Sequence, residues 1–226
     1  MLTLRESLLR KTKDKVAQSH DILSEESIRD IIFNSGYYEI GRFGGTDKAD
    51  SIKVYKKSGK WFVDVKDSIY CYGTPDGQIT DGSFRFGTID GDFIIASAPE
   101  DSNKSKIKSL TYGPIDVKGG FQIWSNVGLT NLKDCPKYVR GGLIINDCTI
   151  TTLKYFPIYV WGSILISENK KLKSVADTTP RSRVESFSIT FNNNGFVSSE
   201  LTYRELNWEM PYGSKGFRFD KSIAAP

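Results

Sequence analysis

The sequence contains a single histidine and three cysteines, and this scarcity excludes several classes of catalytic and metal site. His20 would have to serve any Ser–His–Asp triad, and the chain has neither a GxSxG elbow nor a histidine or cysteine at metal-ligand spacing from His20. Cys71, Cys135 and Cys148 show no CxxC spacing, which favours free thiols in a reducing compartment over a zinc site. We therefore predict no catalytic residue, no metal and no cofactor.

Long apolar runs and a strong charge of either sign are also missing. No run reaches the ~18 apolar residues that cross a bilayer. The opening LTLRESLLRKTKDKV alternates leucine with charge, whereas a signal peptide would have an apolar core. The net charge of +4 is too small to indicate a nucleic-acid partner by itself. We expect a protein that remains in the cytosol and does not bind a membrane.

Two features resemble parts of known active sites only weakly. The run GRFGG at 41–45 lacks the Gly-Lys-Ser/Thr ending of a phosphate-binding loop, so it predicts a simple turn. Asp90 with Asp92, or Asp64 with Asp67, could supply paired carboxylates. A solenoid that cleaves polysaccharides would carry such groups in register along its sheet, and the corresponding repeat positions are not acidic.

A short phrase recurs four times between Val117 and Asn192. Each copy has an apolar residue, any residue, Ile, two further residues, and then Asn or Cys. The copies are Phe121, Ile123 and Asn126; Leu143, Ile145 and Cys148; Ile164, Ile166 and Asn169; and Phe187, Ile189 and Asn192. Their starts are 22, 21 and 23 residues apart, a period typical of stacked repeats. The sequence therefore predicts a mainly β, leucine-rich-repeat-like solenoid, with one short parallel strand in each turn of 21–24 residues.

The flanks of the phrase indicate how each turn closes. Val, any residue, Gly and a small residue precede three copies, and a spaced apolar pair followed by Pro comes after the first three. Cys in the Asn position is interpreted as a small, mildly polar substitute in a buried bend. Weaker copies at Phe93 and Ile69 predict a fifth and a sixth turn, with a lengthened surface loop at 99–106.

The ends of the chain differ from the repeats and predict caps that cover the open ends of the solenoid. Residues 1–60 are expected to form an N-terminal cap of helices and a hairpin, 61–195 the repeat solenoid, and 196–226 a C-terminal cap. Within the first cap, residues 3–18 are expected to be helical, a second helix begins after Ser24, and Gly36 ends it. Strands at 51–55 and 61–65 form the hairpin, and a short helix is expected from Ser198 or Ser199 to Trp208.

The outer face of the predicted strands is more apolar than a solvent-exposed surface without a binding partner needs to be. Three interpretations remain open: a terminal segment folds over this face, the face binds a protein through aromatic anchors with polar neighbours, or it binds a small molecule or a nucleic acid. The candidate partner-binding residues are Gln122, Trp124, Ile144, Asn146, Trp161 and Leu165.

The runs LTNLKDCPKYVRGGLIINDC and TTLKYFPIYVWGSILISENKKLKSV resemble divergent leucine-rich-repeat-like proteins encoded by large tailed bacteriophages. Units of that family follow a pattern like L-x-x-L-x-x-x-P-x-x-V-x-G-x-Φ, and the opening LRESLLRKTKDKV resembles their short helical start. The resemblance covers roughly residues 60–192 and transfers no catalytic residue. It implies a virus-encoded protein that acts in the cytoplasm of the host bacterium.

The leading hypothesis is a non-enzymatic phage scaffold that binds a bacterial host protein, for instance a defence factor or toxin that it inhibits. The alternative is a nucleic-acid-binding accessory protein, in which basic residues of the N-terminal helix and of the 104–108 loop contact phosphates. These residues are Arg10, Lys11, Lys13, Lys15, Lys104, Lys106 and Lys108. A third hypothesis is an enzyme with a site between the N-terminal hairpins and the first turns, and binding of a metal or nucleotide would support it.

Overall fold

The computed structural model describes residues 23–41, 48–97, 105–172, 183–184, 189–192, 194 and 217–219. The predicted first helix at 3–18, His20, most of the GRFGG run and the predicted helix at 198–208 lie outside these residues. Within them the chain is a β-solenoid with one α-helix near its N-terminal end. The predicted fold class, a mainly β solenoid of parallel strands, is confirmed.

The N-terminal end is formed by a helix and a hairpin. Helix α1 spans Glu25–Asn34, and Ser24 caps it by accepting a hydrogen bond from the amide of Ser27 at 3.1 Å. Its buried residues, Ile28 and Ile32, pack on the core. The hairpin then joins β2 (Ile52–Lys57) to β3 (Lys60–Val65), and its two-residue turn has positive φ at both positions, as a hairpin with right-handed strand twist requires.

Sheet A has eight strands and contains the repeated phrase. Its strands, in spatial order, are β1 (Tyr38–Ile40), β4 (Ile69–Cys71), β6 (Phe93–Ile95), β8 (Phe121–Trp124), β10 (Leu143–Asn146), β12 (Ile164–Ser167), β14 (Ile189–Asn192) and β15 (Phe217–Phe219). All neighbours are parallel except β1, which runs antiparallel to β4 at the first edge. The weakest predicted unit, at Ile69, is therefore present as β4.

Sheet B has seven strands and was not predicted. In chain order it contains β2, β3, β5 (Arg85–Ile89), β7 (Asp116–Val117), β9 (Tyr138–Val139), β11 (Tyr159–Val160) and β13 (Arg183–Val184). Each regular turn thus contributes two strands instead of the single strand that the sequence predicts. The Val that precedes each Gly and small residue lies in sheet B, where Val117, Val139 and Val160 are fully buried.

A continuous apolar core runs between the two sheets. The inward positions of sheet A form columns across the turns, with Phe93 in register with Phe121, and Phe121 with Leu143. The rings of Phe93 and Phe121 stack with centroids 5.9 Å apart. The apolar pair after each strand is buried as well, as at Leu129 and Leu132.

The last copy of the phrase was aligned two residues too early. Ile164 pairs with Ile189 and Ser167 with Asn192, so this turn is 25 residues long and its bend residue is Asn194 instead of Asn192. A shift of two residues leaves the same side of the strand facing the core, which is why the apolar pattern did not distinguish the two registers.

Candidate functional site

Five of the six candidate partner-binding residues form an ordered array on the outer face of sheet A. Gln122 lies beside Ile144, and Ile144 beside Leu165, while Trp124 lies beside Asn146 in the next column. All five are partly exposed and alternate with fully buried residues in their strands. We call these five residues the sheet A face.

Hydrogen bonds fix the polar part of the sheet A face. Asp92 accepts from the amide of Gly120 at 2.6 Å and from Nε2 of Gln122 at 3.1 Å. Gln122 in turn accepts from the indole N–H of Trp124 at 3.0 Å, and Asn146 donates to Oγ of Ser167 at 2.7 Å. The orientation of Trp124 is therefore set from a residue of the preceding turn.

The apolar surface of this face is smaller than the sequence suggested. Ile94, which occupies the same column as Gln122 and Ile144, is only 7% exposed. Ile144 and Leu165 are the apolar side chains that remain partly exposed in that column among the described residues.

Trp161 is not part of the sheet A face. Its amide donates to the carbonyl oxygen of Val139 at 3.0 Å, which continues the ladder of sheet B beyond β11. Its ring is 49% exposed and makes an edge contact with Tyr159 at a centroid distance of 6.1 Å. The prediction of one strand in each turn grouped Trp161 with the outer face of sheet A, whereas it lies beside sheet B.

The most exposed aromatic and apolar side chains of the described regular turns cluster around Trp161, on and beside sheet B. Tyr138 is 45% exposed and Ile158 is 44% exposed, and Tyr138 pairs with Tyr159 across β9 and β11. Tyr155 and Ile115 lie at the corner that leads into these strands. We call this surface the aromatic face; its members are Ile115, Tyr138, Tyr155, Ile158, Tyr159 and Trp161.

A sequence signal for the aromatic face existed but was not used. Because Val139 and Val160 point into the core, the residues on either side of each valine point outward. In one turn these residues are Tyr138 and Arg140, and in the next they are Tyr159 and Trp161.

The acidic residues considered as catalytic pairs have structural partners. Asp64 accepts from the amide of Thr88 at 2.8 Å and from the hydroxyl of Tyr55 at 3.2 Å. Asp90 forms an exposed ion pair with Lys118 at 2.7 Å. Asp92 belongs to the network that orients Trp124, and Asp67 accepts from the amide of Ser68.

Burial favours the protonated thiol at Cys71 and Cys135. Burial raises the pKa of Cys71 from 9.0 to about 12, and burial followed by the charge of Asp134 raises the pKa of Cys135. Within the described ranges, no cluster of three or more histidine, cysteine or acidic residues could hold a metal ion. No helix in that same part of the chain is long and apolar enough to cross a membrane.

Two of the seven basic candidates for nucleic-acid binding, Lys106 and Lys108, are described, and both are exposed. They follow the short parallel bridge between Ser105 and Asn126. Arg10, Lys11, Lys13, Lys15 and Lys104 lie outside the described residues.

Comparison of the chain with protein-family models, with curated proteins and with solved structures gave no match.

Proposed function

We propose that this chain is a non-enzymatic, phage-encoded interaction protein that binds a bacterial host protein in the host cytoplasm. The observation that carries the proposal is the aromatic face, which presents Tyr138, Ile158 and Trp161 from a rigid ladder of strands. Tyrosine and tryptophan are the residues that most often dominate the binding energy of protein interfaces. Exposed tyrosine and tryptophan side chains recur in neighbouring turns beside Lys137 and Arg140, and aromatic anchors with polar neighbours suit a protein interface.

The partner that we propose is a defence factor or toxin of the bacterium, which the phage protein inhibits by covering its surface. The repeat units that resemble those of phage proteins support the viral origin. Inhibition by occupation needs no catalytic residue, and the carboxylates considered as catalytic pairs have partners within the fold. The sheet A face, with Trp124, Ile144 and Leu165, is a second contact surface for the same partner.

Affinity purification from host lysate with two triple variants and one control variant tests the proposal. The first triple variant carries Tyr138→Glu, Ile158→Glu and Trp161→Glu. The second carries Trp124→Glu, Ile144→Glu and Leu165→Glu. We expect the first to lose the partner completely, because three buried carboxylates would be left without counter-charges in the complex. We expect the second to retain the partner with at least tenfold weaker affinity.

The matched control is Val127→Glu. Val127 is 43% exposed, close to the exposure of Tyr138 and Ile158, but it follows the bend at Asn126 and belongs to neither sheet. All variants should keep the circular dichroism spectrum and melting temperature of the wild type. The same captured proteins with wild type, control and both triple variants would contradict the assignment of the two faces.

A second proposal, nucleic-acid binding, rests on Lys106 and Lys108. Both are exposed, on either side of the buried Ile107. Neither has an acidic partner among the described ion pairs. Titration of labelled DNA and RNA at two salt concentrations tests it. Binding that weakens steeply with salt and weakens further in Lys106→Gln/Lys108→Gln would support it. No binding at low salt would eliminate it.

A further inference from the structure

A cleft of about 540 Å³ lies where β3 and β5 begin, at the N-terminal end of the solenoid. The hairpin turn forms one wall through Gly59 and Lys60, and Gly82 and Ser83 before β5 form another. Tyr112, at the corner before β7, closes the far side. The volume falls within the roughly 300–1,000 Å³ that is usual for small-molecule sites.

The charge of this cleft has one sign. Lys56, Lys60 and Arg85 line it, and no acidic side chain is among its described lining residues. The neighbouring Asp81 does not line the cleft, and its carboxylate accepts hydrogen bonds from the amide of Ser83 at 3.0 Å and from the Ser83 hydroxyl. Three cations around one concave surface attract an anion more strongly than the net charge of the protein would suggest.

Arg85 has an unused hydrogen-bond donor in this setting. Its Nε is buried and has no acceptor among the described residues, whereas buried donors in folded proteins are almost always paired. Arginine is the side chain best suited to bind a phosphate through two parallel N–H bonds. The guanidinium of Arg85 lines the cleft together with Lys60 and with Lys56, whose Nζ lies over the ring of Trp61.

Aromatic rings supply the remaining walls of the cleft. The indole N–H of Trp61 donates to the carbonyl oxygen of Leu23 at 3.1 Å, which fixes the ring, and Nζ of Lys56 lies 4.5 Å from its centroid. Phe62 stacks on Tyr55, with centroids 5.7 Å apart. Tyr112 is exposed at the rim, where its ring approaches Gly82. A ligand with a planar ring would find stacking surfaces beside the cations.

We propose that this cleft binds a small ligand of the nucleoside phosphate class. Arg85, Lys56 and Lys60 hold its phosphates, and its base contacts the aromatic wall at Trp61 and Tyr112. The site is on the N-terminal side of sheet B and shares no residue with the aromatic face or with the sheet A face. It is a second binding activity, independent of the proposed protein partner, and recovery of intact ADP after incubation with the protein separates it from an enzyme with a site at this place.

Isothermal titration calorimetry of the full chain with ADP, inorganic pyrophosphate and adenosine tests the proposal. We expect ADP to bind one site per chain, pyrophosphate to bind more weakly, and adenosine to bind at least tenfold more weakly than ADP. Arg85→Gln keeps a polar side chain but shortens it and removes its charge, and it should weaken ADP binding at least tenfold. Lys60→Gln, at the exposed hairpin turn, should weaken it about threefold and does not affect the core.

Lys171→Gln is the matched control, because it removes one exposed positive charge at the far end of the described turns, outside the cleft and outside the 106–108 segment. It should bind ADP like the wild type. Absence of ADP binding to the wild type at millimolar concentration would overturn the proposal. Equal losses in Arg85→Gln, Lys60→Gln and Lys171→Gln would also overturn it, since they would indicate general attraction of anions. A single-stranded oligonucleotide distinguishes the sources of the phosphate, because a site for free nucleotides prefers ADP to the oligonucleotide.

Discussion

Single asparagine side chains hold the bends after β12 and β14, and they do so by bonding to the preceding turn. Asn169 donates to the carbonyl oxygen of Ile145 at 2.9 Å and accepts from the amide of Cys148 at 3.0 Å. Asn194 repeats both bonds one turn later, to Ile166 and from the amide of Asn169. Each side chain therefore satisfies backbone groups of the preceding turn, which a buried bend cannot leave unpaired.

Cys148 occupies the same position with a weaker donor. Its Sγ lies 3.7 Å from the carbonyl oxygen of Ile123, whereas Asn169 and Asn194 of the following turns place an amide nitrogen on the equivalent carbonyl oxygen. We expect Cys148→Asn to raise the free energy of unfolding by about 1 kcal/mol, because a full hydrogen bond replaces a thiol contact. Urea unfolding at equilibrium measures the change.

Removal of an asparagine at the equivalent bend is the control for this position. Asn169→Ala removes the side-chain bonds of a fully buried residue to Ile145, Cys148 and Asn194 and should lower the free energy of unfolding by about 2 kcal/mol or more. A loss of stability in Cys148→Asn would mean that the position is shaped for the thiol and that the equivalence of the bends is wrong.

The bend residues show how far the sequence alone can be interpreted. The Asn or Cys positions at 126, 148 and 169 follow from the period, and the substitution of Cys for Asn was predicted correctly. Asn194 was missed in favour of Asn192 because both follow an alternating apolar run. The hydrogen bonds from Asn194 to the preceding turn decide between the two asparagines. Those bonds depend on how the turns stack in the folded chain.

The elements of sheet B explain the largest gap between sequence and structure. A strand of two residues places one side chain in the core, as at Val117, Val139 and Val160, so it cannot produce an alternating pattern. Its regularity appears only between turns, through parallel pairing such as Tyr138 with Tyr159. The aromatic face was missed for the same reason.

A ladder of glycines lets the turns approach each other between the two sheets. The amide of Gly141 donates to the carbonyl oxygen of Gly119 at 2.8 Å, and Gly162 donates to Gly141 at 2.9 Å. A Cβ on Gly141 would lie 2.5 Å from the carbonyl carbon of Gly119. Backbone atoms of the previous turn cannot withdraw from such a contact without breaking the ladder.

We expect Gly141→Ala to lower the free energy of unfolding by about 3 kcal/mol, as overpacking in a fixed backbone contact does. Gly142→Ala is the matched control. A Cβ there would lie 3.1 Å from the carbonyl oxygen of Ser163, and the next turn carries Ser163 itself at the equivalent position. The control should change stability by less than about 1 kcal/mol. Chemical unfolding of both proteins measures the difference, and equal losses would contradict the steric role of the ladder.

At the scale of the whole molecule, the N-terminal end of the stack is closed by strands of opposite direction. β1 runs antiparallel to β4 in sheet A, and β2 runs antiparallel to β3 in sheet B. Helix α1 packs its buried face on the same end of the core. The sequence predicted a helical and hairpin cap. It did not predict the pairing of β1 with sheet A, because β1 is only three residues long and lies far from β4 in the chain.

The core beneath this cap contains ionisable groups that must remain protonated in the folded chain. Tyr38 is buried, its hydroxyl donates to the carbonyl oxygen of Ile79 at 2.7 Å, and burial raises its pKa well above the usual value. Cys71 lies within 3.8 Å of the same oxygen, and burial raises its pKa to about 12. Charging either group would place an anion beside a carbonyl oxygen in an apolar core.

The stability of the molecule should therefore fall at alkaline pH. A group whose pKa is raised by folding contributes stability below its unfolded pKa and loses it as the pH rises through the folded value. For Cys71 this window runs from 9.0 to about 12, with a slope of about 1.4 kcal/mol per pH unit for one proton. Urea unfolding at a series of pH values between 8 and ~11 measures the slope. Cys71→Ala should reduce it by one proton, whereas Ile69→Val, a neighbouring core change without a titrating group, should leave it unchanged. An equal slope in wild type and Cys71→Ala would mean that the thiol ionises in the folded protein as readily as in the unfolded chain.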